Sequence, residues 1–459
     1  MPSARVAFSQ RLQTPVAAPW WVGLILALGA IRVAIALIVI PDQAVTPDEG
    51  LYVEALQALL AGRNITDVGN ELGYGPIIFT GSWVFLRTAQ IISILGLGAW
   101  DALRLASIIF SVLTALAVLD IILRARRSRR PGDRPGIPLL SAAGLALLVL
   151  LLTPSSQIWG SIGLRDASAI FSCALAAWGL SLLVLQRRLP VQIAGLLGVL
   201  LGITGIYLSR SYLALMLTAA IVLAIVLPPL KGRLITITAA IAVAFLANVV
   251  GADIRAQAPP PTEATEATEA TEATETTETT ETTEPSPVID VVDSRVSNFY
   301  NTRNGFRKNA ASAYASNYCE PPRSAVSTAT CELVHLPLGL YRYLLTPNVI
   351  STGLQVPRQR LFAGFENLLW FALFAAALLT LVGRYATSRR MTVFLVAFLL
   401  ITSVAYALIS GNEGTAFRHK GQFLWAWCLL ISLGYGWRPW VRSLLPAGRS
   451  RAQANSQTQ

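Results

Sequence analysis

Two adjacent carboxylates, Asp48 and Glu49, open a short segment in which apolar residues recur at helical spacing. Thr46 suits the N-cap of this predicted helix, Pro47 its first position and Gly62 its end. One interpretation of the pair is local, because Thr46 and Glu49 could form a capping box while Asp48 complements the helix dipole. The other is chemical, since a carboxylate in a cleft can act as a general base.

More charged residues lie in short connections between apolar runs. Arg165 and Asp166 are adjacent, Arg210 occupies a very short turn, and Arg418 and Lys420 lie close together before the last apolar run. The planar guanidinium of an arginine can donate two parallel hydrogen bonds to a phosphate. Together with the first carboxylates, these residues predict either an acid–base centre beside an anion site or a set of structural ion pairs.

The elements that must position these residues are membrane helices. Of 459 residues, 54% are hydrophobic and 13% are charged, whereas soluble domains carry about 25% charged residues. Apolar runs of roughly twenty residues, long enough to cross a bilayer core, recur along the chain. The net charge of +11 arises largely in the connections expected inside the cell, so it reflects the positive-inside rule. Nucleic acid is therefore excluded as a partner.

The predicted fold is an all-α, polytopic bundle of about ten transmembrane helices. An even number of spans places every arginine-rich connection on the cytoplasmic side, together with both termini. The polar-rich run 77–98 would break this alternation, so we interpret it as an interfacial helix in the first external loop. The ten predicted spans are 20–40, 102–123, 137–153, 168–186, 190–208, 211–228, 235–252, 366–386, 391–410 and 421–437.

Three regions follow from this topology. Residues 1–252 form a membrane module with an external loop at 41–101, and residues 366–459 form the last spans and a basic cytoplasmic tail. Between them, 253–365 is a large external loop whose Thr/Glu repeat, 262–284, is predicted to be disordered. Cys319 and Cys331 could form a disulfide in this loop if it faces an oxidising space. The expected location is the inner (plasma) membrane.

Five motifs in chain order together resemble motifs of the GT-C glycosyltransferases. The most similar groups are the protein O-mannosyltransferases and the bacterial aminoarabinose transferases that modify lipid A. The likeness covers roughly residues 45–210, and the rest of the chain is similar only in topology. The Thr/Glu repeat is not part of the family pattern, and His419 stands where the family has tyrosine. The motifs are Asp48-Glu49 with Tyr52, Gly75-Pro76-Ile77-Ile78-Phe79, Arg104-Leu105-Ala106-Ser107, the segment 153–166, and Arg418 before the last span.

The resemblance implies inverting transfer of a sugar from a polyprenyl-phosphate carrier to an extracytoplasmic glycan, lipid or protein, at the surface of the membrane lipids. It implies that Asp48 is the general base, and that Glu49 or Asp166 orients the acceptor. A divalent ion, Mg²⁺ or Mn²⁺, could be held by Asp48 and Asp166. The residues it assigns to substrate, including the phosphate of the departing lipid, are Tyr52, Arg165, Arg210, Arg418 and Lys420.

Two other functions remain open on the sequence. A polymerase or ligase of lipid-linked polysaccharide would also have about ten spans and would use arginines of the large external loop. A transporter or flippase is less favoured, because the sequence shows no internal repeat and its charges gather at one membrane face. The carboxylate pair directly after the first span favours glycosyl transfer. The loop arginines available to a polymerase are Arg295, Arg303, Arg307, Arg323 and Arg342.

Overall fold

The computed structural model describes residues 16–40, 42–43, 46–64, 67–68, 71, 82–129, 136–138, 141–227, 325–346, 358–382, 388–410 and 413–434. These residues are mainly helical. The helices are α1 (Ala18–Ala34, continued by a π-helical turn, Ile35–Val39), α2 (Pro47–Leu60), α3 (Trp83–Ser93), α4 (Ala99–Arg129), α5 (Ala142–Leu152), α6 (Pro154–Trp159), α7 (Asp166–Leu185), α8 (Leu189–Tyr207), α9 (Ser211–Val226), α10 (Ala325–Leu345), α11 (Arg358–Val382), α12 (Arg389–Ile409), α13 (Glu413–Gly421) and α14 (Leu424–Leu433). Two short strands, β1 (Val16–Ala17) and β2 (Gly136–Ile137), pair antiparallel.

Six of the described helices are long and apolar enough to cross a membrane, so the chain is a multi-pass, all-α membrane bundle. Three further helices, α5, α9 and α14, are apolar but shorter than eighteen residues. The six long segments are Ala18–Val39, Ala99–Ser128, Asp166–Leu185, Leu189–Tyr207, Ala363–Leu381 and Arg389–Ile409.

Nine of the ten predicted spans correspond to described helices, and the tenth, 235–252, lies outside the described residues. The predicted span 137–153 contains an eleven-residue helix, because Pro154 begins a separate helix, α6. The last predicted span contains the ten-residue α14. The Thr/Glu repeat, 262–284, also lies outside the described residues.

The two ends of the bundle carry different groups. At one end Trp21 donates to the carbonyl of Ile137 (3.2 Å), and the Asp120 carboxylate accepts from Arg124 (2.5 Å) and from Trp178 (2.7 Å). Asp120 and Arg124 form an ion pair at the i,i+4 spacing of one helix face. The carboxylates and arginines of the candidate site lie at the opposite end, where α2, α7 and α9 begin.

The helices that follow the first span pack around an apolar core of their own. Helix α2 begins at Pro47 and ends where Gly62 adopts a positive φ of 77°, which confirms the glycine as its terminator. Tyr52 of α2 packs edge-to-face on Phe85 of α3, with ring centroids 5.8 Å apart, and Leu103 of α4 completes the cluster. Helix α3 lies within the predicted interfacial run 77–98, and at eleven residues it is about 16 Å long. This small core fixes α2 against α4.

Arg32 ties the first span to this end of the bundle. Its guanidinium donates to Ser161 Oγ (2.8 Å), to Ser111 Oγ (3.0 Å) and to the carbonyl of Gly160. A charged side chain inside a span is costly unless it is hydrogen-bonded, and these three acceptors satisfy it. Arg32 therefore links α1, α4 and the segment that leads into α7.

A hairpin of small residues joins α7 and α8 at close range. A Cβ atom added at Gly179 would lie 2.5 Å from the carbonyl oxygen of Gly195, and one at Gly202 would lie 2.6 Å from the Ser172 carbonyl oxygen and the Ala176 nitrogen. Small residues at such crossings let two helix backbones approach within the membrane. The hairpin fixes the start of α7, where Asp166 lies.

We expect Gly202→Ala to destabilise the protein by about 1–3 kcal/mol, because its methyl group would meet backbone atoms that cannot rotate away. The matched control is Gly23→Ala, since Gly23 is exposed on α1 and has open space around its Cβ position. Apparent Tm in detergent, followed by tryptophan fluorescence, measures both. Equal apparent Tm values for the two variants would contradict the close packing described for this hairpin.

Candidate active site at one end of the bundle

The two carboxylates at the start of α2, Asp48 and Glu49, differ in how far they are buried. Thr46 has the extended backbone of an N-cap (φ −134°, ψ 151°), but its side chain makes no capping hydrogen bond, and its hydroxyl has no partner among the described residues. The capping box of Thr46 and Glu49 is therefore wrong. Glu49 instead turns inward, while the Asp48 side chain stays 48% exposed.

Glu49 forms a buried ion pair with Arg104 of α4. Its Oε1 atom accepts from Arg104 Nε (2.9 Å) and from the backbone N–H of Gly163 (3.0 Å), and both charged side chains are fully buried. Arg104 also donates to the carbonyls of Ile40 (3.3 Å) and Gln43 (3.0 Å). These four bonds hold the end of the first span, the start of α2 and the segment before α7 in one place.

Arg418 bridges the other two carboxylates. Its Nη1 atom donates to Asp48 Oδ2 (2.6 Å), and its Nε atom donates to Asp166 Oδ2 (2.6 Å). Burial alone would lower the pKa of Arg418, but the charges of Asp166 and Asp48 outweigh it and raise that pKa above its usual value. Arg418 is therefore a permanent cation between a half-exposed and a fully buried carboxylate.

Arg210, at the start of α9, is the second cation on Asp166. Its Nη2 atom binds Asp166 Oδ1, and its Nη1 atom donates to the hydroxyl of Tyr212 (2.6 Å). That hydroxyl lies 3.2 Å from the hydroxyl of Tyr406 on α12. Burial lowers the pKa of Arg210, but the nearby Asp166 carboxylate outweighs burial and raises it well above its usual value.

Tyr52 and Arg165 line the neighbouring wall. Arg165 Nη1 donates to Ser82 Oγ (3.4 Å), and the Tyr52 hydroxyl is hydrogen-bonded to the same serine. Burial raises the pKa of Tyr52, and the positive charge of Arg165 acts in the opposite direction. Tyr52 is only 5% exposed, and its hydroxyl is near enough to Arg165, Asp166 and Arg210 for their charges to act on it.

Lys420 lies apart from the carboxylates, although only two residues separate it from Arg418. It is 1% exposed and donates to the carbonyl of Leu344 (3.1 Å) and to the Oδ1 atom of Asn367. His419, between them, is buried with its ring centroid 4.2 Å from that of Tyr406. Burial and the charge of Arg210 lower the pKa of His419 well below its usual value, so the imidazole is neutral at pH 7.

Some residues of the site were not predicted from the sequence. Asn367 is fully buried near the start of the span Ala363–Leu381, beside the buried Glu366, and Tyr212 and Tyr406 extend the network from Arg210. The sequence did carry a signal for Glu366 and Asn367. An acid and an amide inside an otherwise apolar helix are costly to bury, so such residues usually mark functional positions. The tyrosines carry no such signal, since tyrosine is ordinary at the end of a span.

The cluster has an arrangement suited to an anion. Arg165, Arg210 and Arg418 bring three positive charges to two negative ones, those of Asp48 and Asp166, which leaves a net positive charge at a half-open carboxylate. Among the described residues there is no group of three or more His, Cys, Asp and Glu side chains placed to hold a metal ion. A divalent ion shared by Asp48 and Asp166 would have to displace the guanidinium of Arg418.

Elsewhere in the described chain, Cys331 is disulfide-bonded, while Cys173 and Cys428 are buried free thiols. The disulfide agrees with the expectation for the external loop, although Cys319 lies outside the described residues.

Comparisons of the chain with protein-family models, with curated proteins and with solved structures find no match.

Proposed function

We propose that this chain is a membrane glycosyltransferase that moves a sugar from a polyprenyl-phosphate carrier to an acceptor on the non-cytoplasmic side of the plasma membrane, with inversion. One observation carries the proposal: a half-exposed carboxylate, Asp48, is held by Arg418, which also binds the buried Asp166 beside Arg210. The arrangement provides a half-exposed carboxylate beside two arginines at one end of a membrane bundle. A sugar bound to a lipid phosphate needs both of these in the same place.

Asp48 is the general base in this proposal. A base must come within about 2.6–3.2 Å of the proton that it removes, so it must be accessible to the acceptor. Of the three carboxylates considered, Asp48 is 48% exposed in its side chain, whereas Glu49 and Asp166 are fully buried. Asp48 therefore takes the proton, Glu49 positions the helix that carries it, and Asp166 positions the two arginines.

The reaction is a single displacement. The acceptor oxygen attacks the anomeric carbon, the bond between that carbon and the phosphate oxygen breaks, and the electron pair leaves with the polyprenyl phosphate. Asp48 receives the acceptor's proton, while the leaving phosphate gains one negative charge. Arg418 and Arg210 would stabilise that charge, which is larger in the transition state than in the bound donor. The Nε–H of Arg210 has no hydrogen-bond partner among the described residues, so this arginine retains a donor.

A metal ion is not needed to supply positive charge in this mechanism, because Arg418 already lies between the two aspartates. We assign no step to Mg²⁺ or Mn²⁺. Assays with and without EDTA address this point directly.

The first test is transfer from a radiolabelled polyprenyl-phosphate sugar in membranes that contain the protein. We expect transfer by the wild type, retained in EDTA, and a fall of about 100-fold or more in Arg418→Ala, because the leaving phosphate loses its nearest cation. Arg188→Ala is the matched control, since Arg188 is exposed at the far end of α7. Transfer that is absent from the wild type with every carrier, or that is unchanged in Arg418→Ala, would refute the proposal.

A further inference from the structure

Lys420 is buried, and its amine is surrounded by oxygen acceptors. Its Nζ atom donates to the carbonyls of Leu344 (3.1 Å) and Thr346 (3.5 Å) and to the Oδ1 atom of Asn367. It also lies 5.4 Å from the ring centroid of Trp370, within range of a cation–π contact. A protonated lysine has three N–H donors, and here three oxygen atoms receive them.

These three acceptors belong to segments that are distant in sequence. Leu344 lies in the last turn of α10 and Thr346 directly after that helix, while Asn367 lies near the start of the long apolar segment in α11. The carbonyls at the end of a helix carry partial negative charge, which favours a cation. Lys420 therefore connects α13, the helix that carries Arg418, to the C-terminal end of α10 and to α11.

The residue beside Asn367 fastens the other half of the site. Glu366 Oε2 accepts from the backbone N–H of Ser155 at the start of α6 (2.9 Å), and α6 leads directly into the segment that carries Asp166. One turn of α11 thus connects to Asp166 through Glu366 and to Arg418 through Asn367 and Lys420. Asp166 and Arg418, which are held in this way, form an ion pair with each other.

We infer that Lys420 and Asn367 are positioning residues, which hold Arg418 between Asp48 and Asp166. The role in catalysis rests on the proposed function, whereas the coupling of Lys420 to Arg418 does not. The sequence suggested that Lys420 contacts the donor phosphate. Its 1% exposure and its three protein acceptors support this different role.

The protonation of Lys420 makes this device sensitive to pH. Burial lowers the pKa of Lys420 to about 7, and the negative charge of Glu366 acts in the opposite direction. The other titratable groups on the packed elements are Arg418 and His419 of α13, Arg342 and Tyr343 of α10, and Tyr406 of α12. A neutral amine offers two donors to three acceptors, so one contact of α13 is lost as the pH rises through about 7.

The decisive experiment measures transfer against pH for the wild type, Lys420→Met and Asn367→Asp. We expect the wild-type rate to fall as the pH rises through about 7, and Lys420→Met to be about 100-fold slower throughout and to lack this fall. Asn367→Asp places a carboxylate beside the amine and raises the pKa of Lys420, so the fall should move to higher pH. A wild-type rate and pH profile in Lys420→Met would overturn the inference.

A second measurement does not depend on activity. The folded pKa of Lys420 lies below that of a free lysine, so the unfolded chain binds more protons between about pH 7 and 10.5. Over that range the stability of the wild type relative to Lys420→Met should rise with pH. We also expect the apparent Tm changes of Lys420→Met and Arg418→Ala to be non-additive, because one residue holds the other. Additive changes would refute the positioning role. Coupled changes in a protein that transfers no sugar would preserve that role and refute only the proposed function.

Discussion

Asp48→Asn should abolish sugar transfer almost completely, with a loss of about 10²–10⁴-fold, the range expected for removing a general base. The amide keeps the size of the side chain and can still accept a hydrogen bond from Arg418. It cannot take the proton of the acceptor hydroxyl. The measurement is transfer from a labelled polyprenyl-phosphate sugar in membranes, normalised to the amount of folded protein.

Glu54→Gln is the control for this variant. Glu54 lies on the same helix, α2, and is exposed, so the substitution changes the charge of the helix without touching the cluster. We expect it to transfer at the wild-type rate. Normal transfer by Asp48→Asn would remove Asp48 from the role of base. Equal losses in both variants would mean that the charge of α2, and not the Asp48 carboxylate, is what matters.

The second large effect is on stability. Arg104→Met would leave the Glu49 carboxylate fully buried without its cation, and breaking a buried pair by removing one partner costs about 3–5 kcal/mol. Methionine fills much of the same volume, so the loss arises from charge and hydrogen bonding. We expect a large fall in apparent Tm, and a loss of transfer because α2 no longer holds Asp48 in place.

Two comparisons isolate this effect. The double variant Glu49→Gln/Arg104→Met removes the uncompensated charge and should recover part of the lost stability, as coupling between contacting residues predicts. Arg124→Met breaks the ion pair with Asp120, in which the Arg124 side chain is 26% exposed and the Asp120 side chain 35%. Because the pair is partly exposed, the substitution should change stability by less than about 1 kcal/mol. If Arg104→Met were no worse than Arg124→Met, the Glu49 pair would not organise the first loop.

The main elements of the site were predictable from the sequence because topology alone constrains them. Alternation of basic and apolar segments was enough to predict that Asp48, Asp166, Arg210 and Arg418 share one face of the bundle. The structure brings these four into one hydrogen-bonded cluster. Helix α2 was predictable from local sequence alone, since a proline can begin a helix and a glycine can end it.

The residues that were placed differently depend on partners far along the chain. Glu49 was weighed as a capping residue or a site carboxylate, and its actual partner, Arg104, is 55 positions away. Lys420 was grouped with the phosphate-binding residues, but its acceptors lie 53 to 76 positions earlier. Helical periodicity shows which side chains share a face of one helix, but it does not show which other helix that face meets.

The Arg418–Asp48 bond joins residues that are 370 positions apart, which has a consequence for biosynthesis. Asp166 and Arg210 are only 44 positions apart, so they can pair soon after both have left the ribosome. Arg418 is translated much later, after 207 further residues beyond Arg210. A nascent chain therefore holds Asp48 and Asp166 without Arg418 for as long as the remaining residues take to be made. The cluster is complete only when Arg418 has reached it, so under the proposed function an unfinished chain would not transfer sugar.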